Sequence, residues 1–328
     1  MSQPMLKDAP KRSVAGKKNK KENYKAKMKL KGAQKLKDAM ERESKKPAIN
    51  RHIGLADSVP HIASINQTKS VMHRSPKSID ELLKIFTMEP AQFDRDLVQK
   101  GQMLGSGAYG TVHNCQVISL PGFPMVAKEI KDIRSVQLIK AERRILHALN
   151  GIPVFPYCVG YVEPNIILIQ KIGSGCTLSS AFMTGCNVDG LSISRQIITG
   201  VNLLHKRFRI LHNDLHASNI LIDIAANRCV IIDFGKATPV DHPVIYDLTP
   251  SQRERYNKHH RHIAYEIRNE RFTRQSVATD TYSVGFLIKR IGFYLSPQND
   301  KVCEVGKRLK SVELSSRITL DNALQQLN

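Results

Sequence analysis

At 328 residues, with 50 Lys and Arg against 29 Asp and Glu, the chain carries a formal net charge of +21 and has room for one large or two small domains with a sizeable core. Its six cysteines, at 115, 158, 176, 186, 229 and 303, are scattered without a Cys-x-x-Cys pair, which points to reduced structural thiols and away from a disulfide or zinc framework. The basic N-terminus has no apolar signal core and no run approaches a bilayer span, so the expectation is a soluble, intracellular protein that does not enter a membrane.

The charge is uneven. Residues 1–50 hold 16 Lys and Arg against 5 Asp and Glu, a net of +11 that leaves +10 for the remaining 278 residues. Apolar residues there are sparse and small, so disorder is expected. The clusters Lys11-Arg12 and Lys17-Lys18-Asn19-Lys20-Lys21 fit a nuclear-import signal, an arm that screens nucleic-acid phosphates, or a solvated tail. Tyr24 is the one aromatic among them, which gives little support to base stacking. Nuclear targeting is preferred over a cytoplasmic location. Residues 51–77 read as a polar linker, which makes 1–77 a disordered tail and linker and 78–328 the folded domain. Ser78 to Phe86 opens that domain with a helix-start signature, a Ser followed by Asp80 and Glu81 and an apolar face.

A strand is expected from Val98 to Leu104, followed by Gly105-Ser106-Gly107-Ala108-Tyr109-Gly110-Thr111-Val112. Dinucleotide-binding folds use the same Gly-x-Gly-x-x-Gly spacing, but there the motif opens a helix. Here Thr111 to Val117 is strand-like. A glycine-rich hairpin lets backbone N–H groups approach phosphates that bulkier residues would hold off. Val126-Ala127-Lys128 lies on the next strand, after a loop at 121–124. From Ser135 to Leu149 a helical face is expected from Val136, Leu138, Ile139, Ile145, Leu146 and Leu149. Glu142 lies on this helix, and taken alone it reads as a solvent-facing carboxylate beside Arg143 and Arg144. Phe155–Val162 and Ile166–Ile172 read as two strands joined by Glu163-Pro164-Asn165, with Gly173-Ser174-Gly175 after them.

The centre of the chain is His212-Asn213-Asp214-Leu215-His216-Ala217-Ser218-Asn219. An apolar-periodic segment (Ile193, Ile197, Val201, Leu204) precedes it, and two short strands follow, leading into Asp233-Phe234-Gly235. The order helix, loop, strand, turn, strand, acidic turn places Asp214, Asn219 and Asp233 at adjacent strand ends. Three such oxygen donors can hold a hard divalent cation and orient a hydroxyl. Further on, Ser251 to His262 carries Arg253, Arg255, Lys258 and Arg261 with His259, His260 and His262, against the single acid Glu254. Without ligand partners at metal spacing, this reads as a basic, substrate-facing surface.

Together these motifs resemble the protein-kinase superfamily over roughly Val98 to Leu327, where the familiar pattern is His-Arg-Asp-Leu-x-x-x-Asn followed by Asp-Phe-Gly. The resemblance implies a bilobal α+β fold, with a small β-rich lobe over about 78–170 and a mainly helical lobe over about 174–328. It implies ATP and Mg²⁺, with the glycine loop Gly105, Ser106, Gly107, Ala108, Tyr109 and Gly110 over the triphosphate. Lys128 would contact phosphates while held by Glu142, and Leu104, Val112, Ala127 and Leu221 would line the adenine. Asp214 would be the catalytic base, and Asn219 and Asp233 the metal ligands. Gly173 to Gly175 would be the hinge. Ala264-Tyr265-Glu266 resembles the Ala-Pro-Glu that closes the activation segment, and Arg317 matches the late arginine that pairs with that Glu. Asp280 matches the helix Asp that supports the catalytic loop backbone.

Three departures stand out. Asn213 replaces the Arg that ordinarily meets an activation-loop phosphate, so switching by that route is not expected. His216 replaces the Lys that serine/threonine kinases place two residues after the Asp. It is either a donor to the γ-phosphate when protonated or suitably tautomerised, which would make it catalytic, or a space-filler. Asp280 and Arg317 are 37 positions apart, so the helical lobe is trimmed, in a way similar to compact kinases of large DNA viruses. The expected activity is phosphoryl transfer to a Ser or Thr of a protein substrate, acidic or already phosphorylated to match the basic segment, by a monomer. An aminoglycoside-type small-molecule phosphotransferase, which shares Asp-Leu-His-x-x-Asn, and a pseudokinase scaffold are the alternatives.

Overall fold

The computed structural model describes residues 82–83, 85–107, 110–131, 136–296 and 300–328. The basic tail and linker, the helix start at Ser78, and Ala108 and Tyr109 of the glycine loop lie outside the described residues.

The first lobe is a six-stranded sheet in the order β1-β5-β6-β4-β3-β2. Its strands are β1 (Ala91–Gln92), β2 (Val98–Ser106), β3 (Gly110–Val117), β4 (Met125–Ile130), β5 (Cys158–Val162) and β6 (Ile166–Gln170). All neighbours pair antiparallel except β1 with β5. Because side chains alternate along a strand, β4 divides cleanly. Met125 and Ala127 join Val117, Val162, Ile166 and Leu168 in a core on the outer face of the sheet. Ile130, two residues on from Lys128, joins the main core on the inner face.

Helix α1 (Val136–Ala148) lies on that inner face. Ile139, Ile145, Leu146 and Leu149 are buried as expected, but Leu138 is 45% exposed. Residues 82, 83 and 85 are helical, and Leu82 and Phe86 enter the main core. Glu89 anchors this segment by accepting from Arg143 Nε at 2.9 Å and Arg144 Nε at 2.6 Å.

The second lobe begins at β7 (Cys176–Thr177), reached through Gly173 and Gly175, whose φ values of 43° and 74° carry the connection. Helices α2 (Leu178–Thr184) and α3 (Gly190–Leu203) follow, α3 capped by Asp189, which accepts from the N–H groups of Leu191 and Ser192. Ile193, Ile197, Val201 and Leu204, the expected apolar stripe, are fully buried. Strands β8 (Ile210–Leu211), β9 (Ile220–Asp223), β10 (Arg228–Ile231) and β11 (Thr238–Pro239) form small ladders, β10-β9-β7 and β11-β8. A further pair, β12 (Ile245–Tyr246) and β13 (Thr273–Arg274), brackets α4 (Pro250–His259) and α5 (Tyr265–Asn269).

The lobe is completed by α6 (Val277–Tyr294), α7 (Asp300–Leu309) and α8 (Leu320–Leu327). In the short stretch after α6, α7 packs straight onto it. A Cβ on Gly306 would come within 2.3 Å of the Lys289 backbone nitrogen, and one on Gly292 within 2.7 Å of that of Cys303. Glycines at the crossing let the two backbones meet, and this is how a trimmed lobe still closes its core.

Among the described residues no helix is long and apolar enough to cross a membrane, and all six cysteines are free thiols.

Candidate active site

The site lies where the inner face of the sheet meets the loop between β8 and β9. Lys128 stands on β4 opposite Val112 of β3 and Ile167 of β6. Its ammonium lies 2.7 Å from Glu142 Oε1 and 2.8 Å from Asp233 Oδ1. Glu142 faces inward because it sits three residues after Ile139 and three before Ile145, on the buried stripe of α1. The solvent-facing reading therefore falls, and Arg143 and Arg144 turn to Glu89 instead. Glu142 also accepts from the Phe234 N–H at 3.0 Å, so one carboxylate fixes both the lysine and the acidic turn. Burial works against the charge on Lys128, but the Glu142 and Asp233 carboxylates outweigh it and raise its pKa. Burial likewise pushes Asp233 up, yet the Lys128 charge and hydrogen bond hold it below its ordinary value.

Asp233 has a left-handed backbone, φ 69°, which swings its side chain back toward Lys128. Phe234 beside it is buried, 5.9 Å from the Phe155 ring and 4.9 Å from the His212 ring between centroids.

The catalytic-type loop hangs on Asp280 of α6. This fully buried carboxylate accepts from the backbone N–H of His212 at 2.7 Å and of Asn213 at 3.0 Å, and lies 3.1 Å from His205 Nε2. Burial would raise its pKa, but the His205 hydrogen bond and charge and the N–H bond from His212 bring it below the usual carboxylate range. The support expected of Asp280 is therefore present. Asn213, at φ 64°, adopts a conformation that Asn tolerates well. Its Nδ2 donates to Lys236 O at 2.9 Å and to Thr238 Oγ1 at 2.8 Å.

Asp214 faces the cleft. Asn219 Nδ2 donates to the Asp214 carbonyl at 2.9 Å, and Ile232 N–H donates to Asn219 O at 2.9 Å, so Asp214, Asn219 and the turn before Asp233 are held together. His216 caps the short turn Ala217–Asn219, its Nδ1 accepting from Ser218 N–H at 3.3 Å. Its Nε2 lies 3.8 Å from Asp214 Oδ2. Burial lowers the His216 pKa, against the pull of Asp214. Among the described residues, the cation nearest Asp214 is one that sequence reasoning passed over. Lys236 Nζ stands 3.0 Å from Asp214 Oδ1, and its sole signal in the sequence is its place directly after Asp233-Phe234-Gly235.

The glycine loop is a hairpin between β2 and β3, as the strand-like residues after it require. Gly107 N–H donates to Gly110 O at 2.9 Å, and a Cβ on Gly110 would lie 2.2 Å from the Glu129 carbonyl oxygen, so only glycine fits there. A Cβ at Gly105 or Gly107 would meet nothing within 4 Å. Nothing among the described residues demands glycine at those two positions. Ser106 accepts from Lys131 Nζ at 3.2 Å.

Of the four expected adenine-lining residues, one is displaced. Val112 shares the face of Lys128 by cross-strand pairing. Leu221 is half-buried while its neighbours Ile220 and Ile222 vanish into the main core, so it points the other way, and Leu104 is exposed at the bulged end of β2. Ala127 is the correction. Adjacent to Lys128, it points to the opposite face and is sealed in the outer core. Val126, two residues before Lys128 and paired with Ile169, takes the inner-face position.

At the far side, Glu266 and Arg317 form the expected pair, bidentate at 2.7 and 3.1 Å. Between them and the loop runs α4, which charge reading did not foresee as a helix. Thr249-Pro250-Ser251-Gln252 is a capping box with Pro at the first turn, a signal present in the sequence and not used. It also revises the basic surface. Arg253 is turned to the carbonyls of Leu248 and Asn269, leaving Arg255, Lys258 and Arg261 exposed. His262 is packed against His216, with ring centroids 5.3 Å apart, and no group of three or more metal-binding side chains occurs among the described residues.

A family model described as Protein kinase domain matches residues 98–326. The chain is 29% identical over 232 residues to "Myosin light chain kinase 3" of Danio rerio, covering 63% of this chain and 30% of that protein. It is 29% identical over 210 residues to "Myosin light chain kinase family member 4" of Mus musculus, covering 61% of this chain and 51% of that one. Over 175 residues it is 27% identical to "Mitogen-activated protein kinase kinase kinase 1" of Rattus norvegicus, covering 45% of this chain and 11% of that protein. The chain thus spans between about a tenth and a half of the length of these curated relatives.

Proposed function

Because the chain belongs to the protein kinase family, we propose that it binds ATP with Mg²⁺ in this cleft and transfers the γ-phosphoryl group to a Ser or Thr hydroxyl of a protein substrate. The observation that carries the reading is the bridge from Lys128 to both Glu142 and Asp233, at 2.7 and 2.8 Å, beside an Asp214 pinned through Asn219. A binding scaffold has no chemical need for that whole set.

Phosphoryl transfer is chiefly positioning and charge neutralisation. The open space over Gly105 and Gly107 admits phosphates to the hairpin backbone, and Lys128, held rigid on two carboxylates, presents its ammonium to them. Val112, Val126 and Leu221 offer apolar surface for the base. Asp233, kept ionised by Lys128, and Asn219, whose Nδ2 is spent on the Asp214 carbonyl, offer hard oxygen donors. That small donor set suits an ion that shares its shell with phosphates and water. Bound there, Mg²⁺ would neutralise charge between the β- and γ-phosphates. Asp214 accepts the hydrogen bond of the incoming hydroxyl and aims it in line with the γ-phosphorus. The exposed Arg255 and Lys258 on α4 favour an acidic or phosphorylated substrate region. The Asn213 contacts to Lys236 and Thr238 order the start of the activation segment without a phosphate.

The test is transfer of label from γ-labelled ATP with Mg²⁺ to acidic and basic proteins, beside an aminoglycoside panel. Protein labelling that falls at least about 1,000-fold in Asp214→Asn, with nucleotide binding within about threefold of wild type, is the expected outcome. Label on the small molecules alone would remove the substrate class, and near-normal labelling by Asp214→Asn would remove the mechanism.

A further inference from the structure

We propose that Lys236 is a catalytic residue, the cation that meets the transferring phosphoryl group beside Asp214. The inference rests on the kinase reading above and adds a residue to it.

In the transfer, the substrate oxygen bonds to the γ-phosphorus, while the bond to the β,γ-bridging oxygen breaks with its electron pair left on ADP. The hydroxyl proton passes to Asp214. The transferring phosphoryl group, its charge spread over three equatorial oxygens, therefore passes beside Asp214, and a fixed cation that meets those oxygens as they move toward the acceptor stabilises the transition state more than the ground state. Lys128 is committed on the nucleotide side, to Glu142 and Asp233. His216 is committed to the cap of its own turn, where Nδ1 accepts from Ser218 N–H. The cation placed at this point is Lys236, whose Nζ is 3.0 Å from Asp214 Oδ1.

The position of Lys236 is built. Its carbonyl accepts from Asn213 Nδ2 at 2.9 Å, and Asn213 directly precedes Asp214. The following Ala237 N–H donates to Phe234 O at 3.0 Å, and Thr238 then pairs with Leu211 in the β11-β8 ladder. The backbone at Lys236 is thus tied on both sides to the loop that carries Asp214. Its side chain, 40% exposed, still has room to pivot from the carboxylate to a phosphoryl oxygen as the hydroxyl takes over Asp214. On this view Asn213 has a second use beyond ordering the segment, since it sets where the ammonium is delivered.

The experiment compares Lys236→Met and Lys236→Arg with wild type, reading steady-state label transfer, KM for ATP and thermal midpoint. Lys236→Met should lower kcat about 100-fold with KM for ATP within about threefold, the split expected when an interaction made in the transition state is lost. Lys236→Arg should keep kcat within about tenfold of wild type, because the charge survives. The thermal midpoint should not move in either. A kcat for Lys236→Met at or above the wild-type level would overturn the proposal, showing that the ion pair only restrains Asp214. So would equal losses in both variants with a lowered midpoint, the mark of a structural role. Wild type that transfers no label to any acceptor would instead bring down the kinase reading and this inference with it.

Discussion

Two buried ion-pair systems in this molecule use the same chemistry to different ends. In the cleft, Lys128 bridges Glu142 and Asp233, with Asp233 still 31% exposed. At the base of the helical lobe, Arg317 and Glu266 form a bidentate pair that is almost completely sealed. The remaining guanidinium donors there go to the carbonyls of Ala278 and Ser311. One system is left with an open polar face, and the other has every partner supplied from within the chain. A charge kept partly in reach of solvent can act on a ligand. A charge wholly satisfied can only hold structure.

Separating the two by mutation is the sharpest way to test that contrast. Lys128→Met should lower phosphoryl transfer about 100- to 1,000-fold, since the fixed ammonium on the phosphates is lost. Its cost in stability should be the smaller of the two, because Asp233 can turn to water and the buried Glu142 keeps the Phe234 N–H as a donor. Label transfer and chemical denaturation, run side by side, measure both. Arg317→Ala should behave in the opposite sense. Leaving Glu266 buried without its partner should cost about 3–5 kcal/mol by denaturation, while the molecules still folded at low temperature keep most of their activity. A Lys128→Met protein that lost stability as heavily as Arg317→Ala while retaining transfer would erase the distinction.

The smallest expected effect concerns pH and the rim of the cleft. Burial and the neighbouring His216 push the His262 pKa from 6.5 down to about 4, against the pull of Asp214. An unfolded chain therefore takes up a proton at His262 near pH 6.5, whereas the folded chain resists until near 4. Stability should fall as pH drops through that window and stay flat above it. His216 and His260, whose pKa values are also lowered, add to the same slope. Replacing His262 by Gln should make the stability difference between pH 7 and pH 5 smaller, as read from denaturant midpoints. A steeper slope in that variant would contradict the burial argument.

Much of this site is legible in the sequence. Asp214 and Asn219 are five residues apart on one loop, and Asp233 follows a recognisable strand, so local pattern alone brings them close. Glu142 was legible only with help. By itself it reads as a surface acid, and its inward orientation follows from the phase of the stripe made by Ile139, Ile145, Leu146 and Leu149. Ala127 shows how little it takes to miss. A shift of one residue on a strand turns a side chain to the other face, and Lys128 as the anchor selects Val126. The helix over Pro250–His259 carried its own start signal in Thr249 and Gln252, which the density of charge around it obscured.

What the sequence determined by itself is the family, the order of the elements and the identity of the polar residues at the centre. Those depend on motif spacing and on the periods of 3.6 and 2 that local backbone geometry imposes. What the tertiary structure alone decided is which charges meet. Lys128 and Asp233 are 105 positions apart, Arg317 and Glu266 are 51, and Lys236 reaches Asp214 because Asn213 and the β11-β8 ladder turn the chain back. Ion pairs form wherever folding leaves opposite charges adjacent and short of water, and no local pattern encodes that distance.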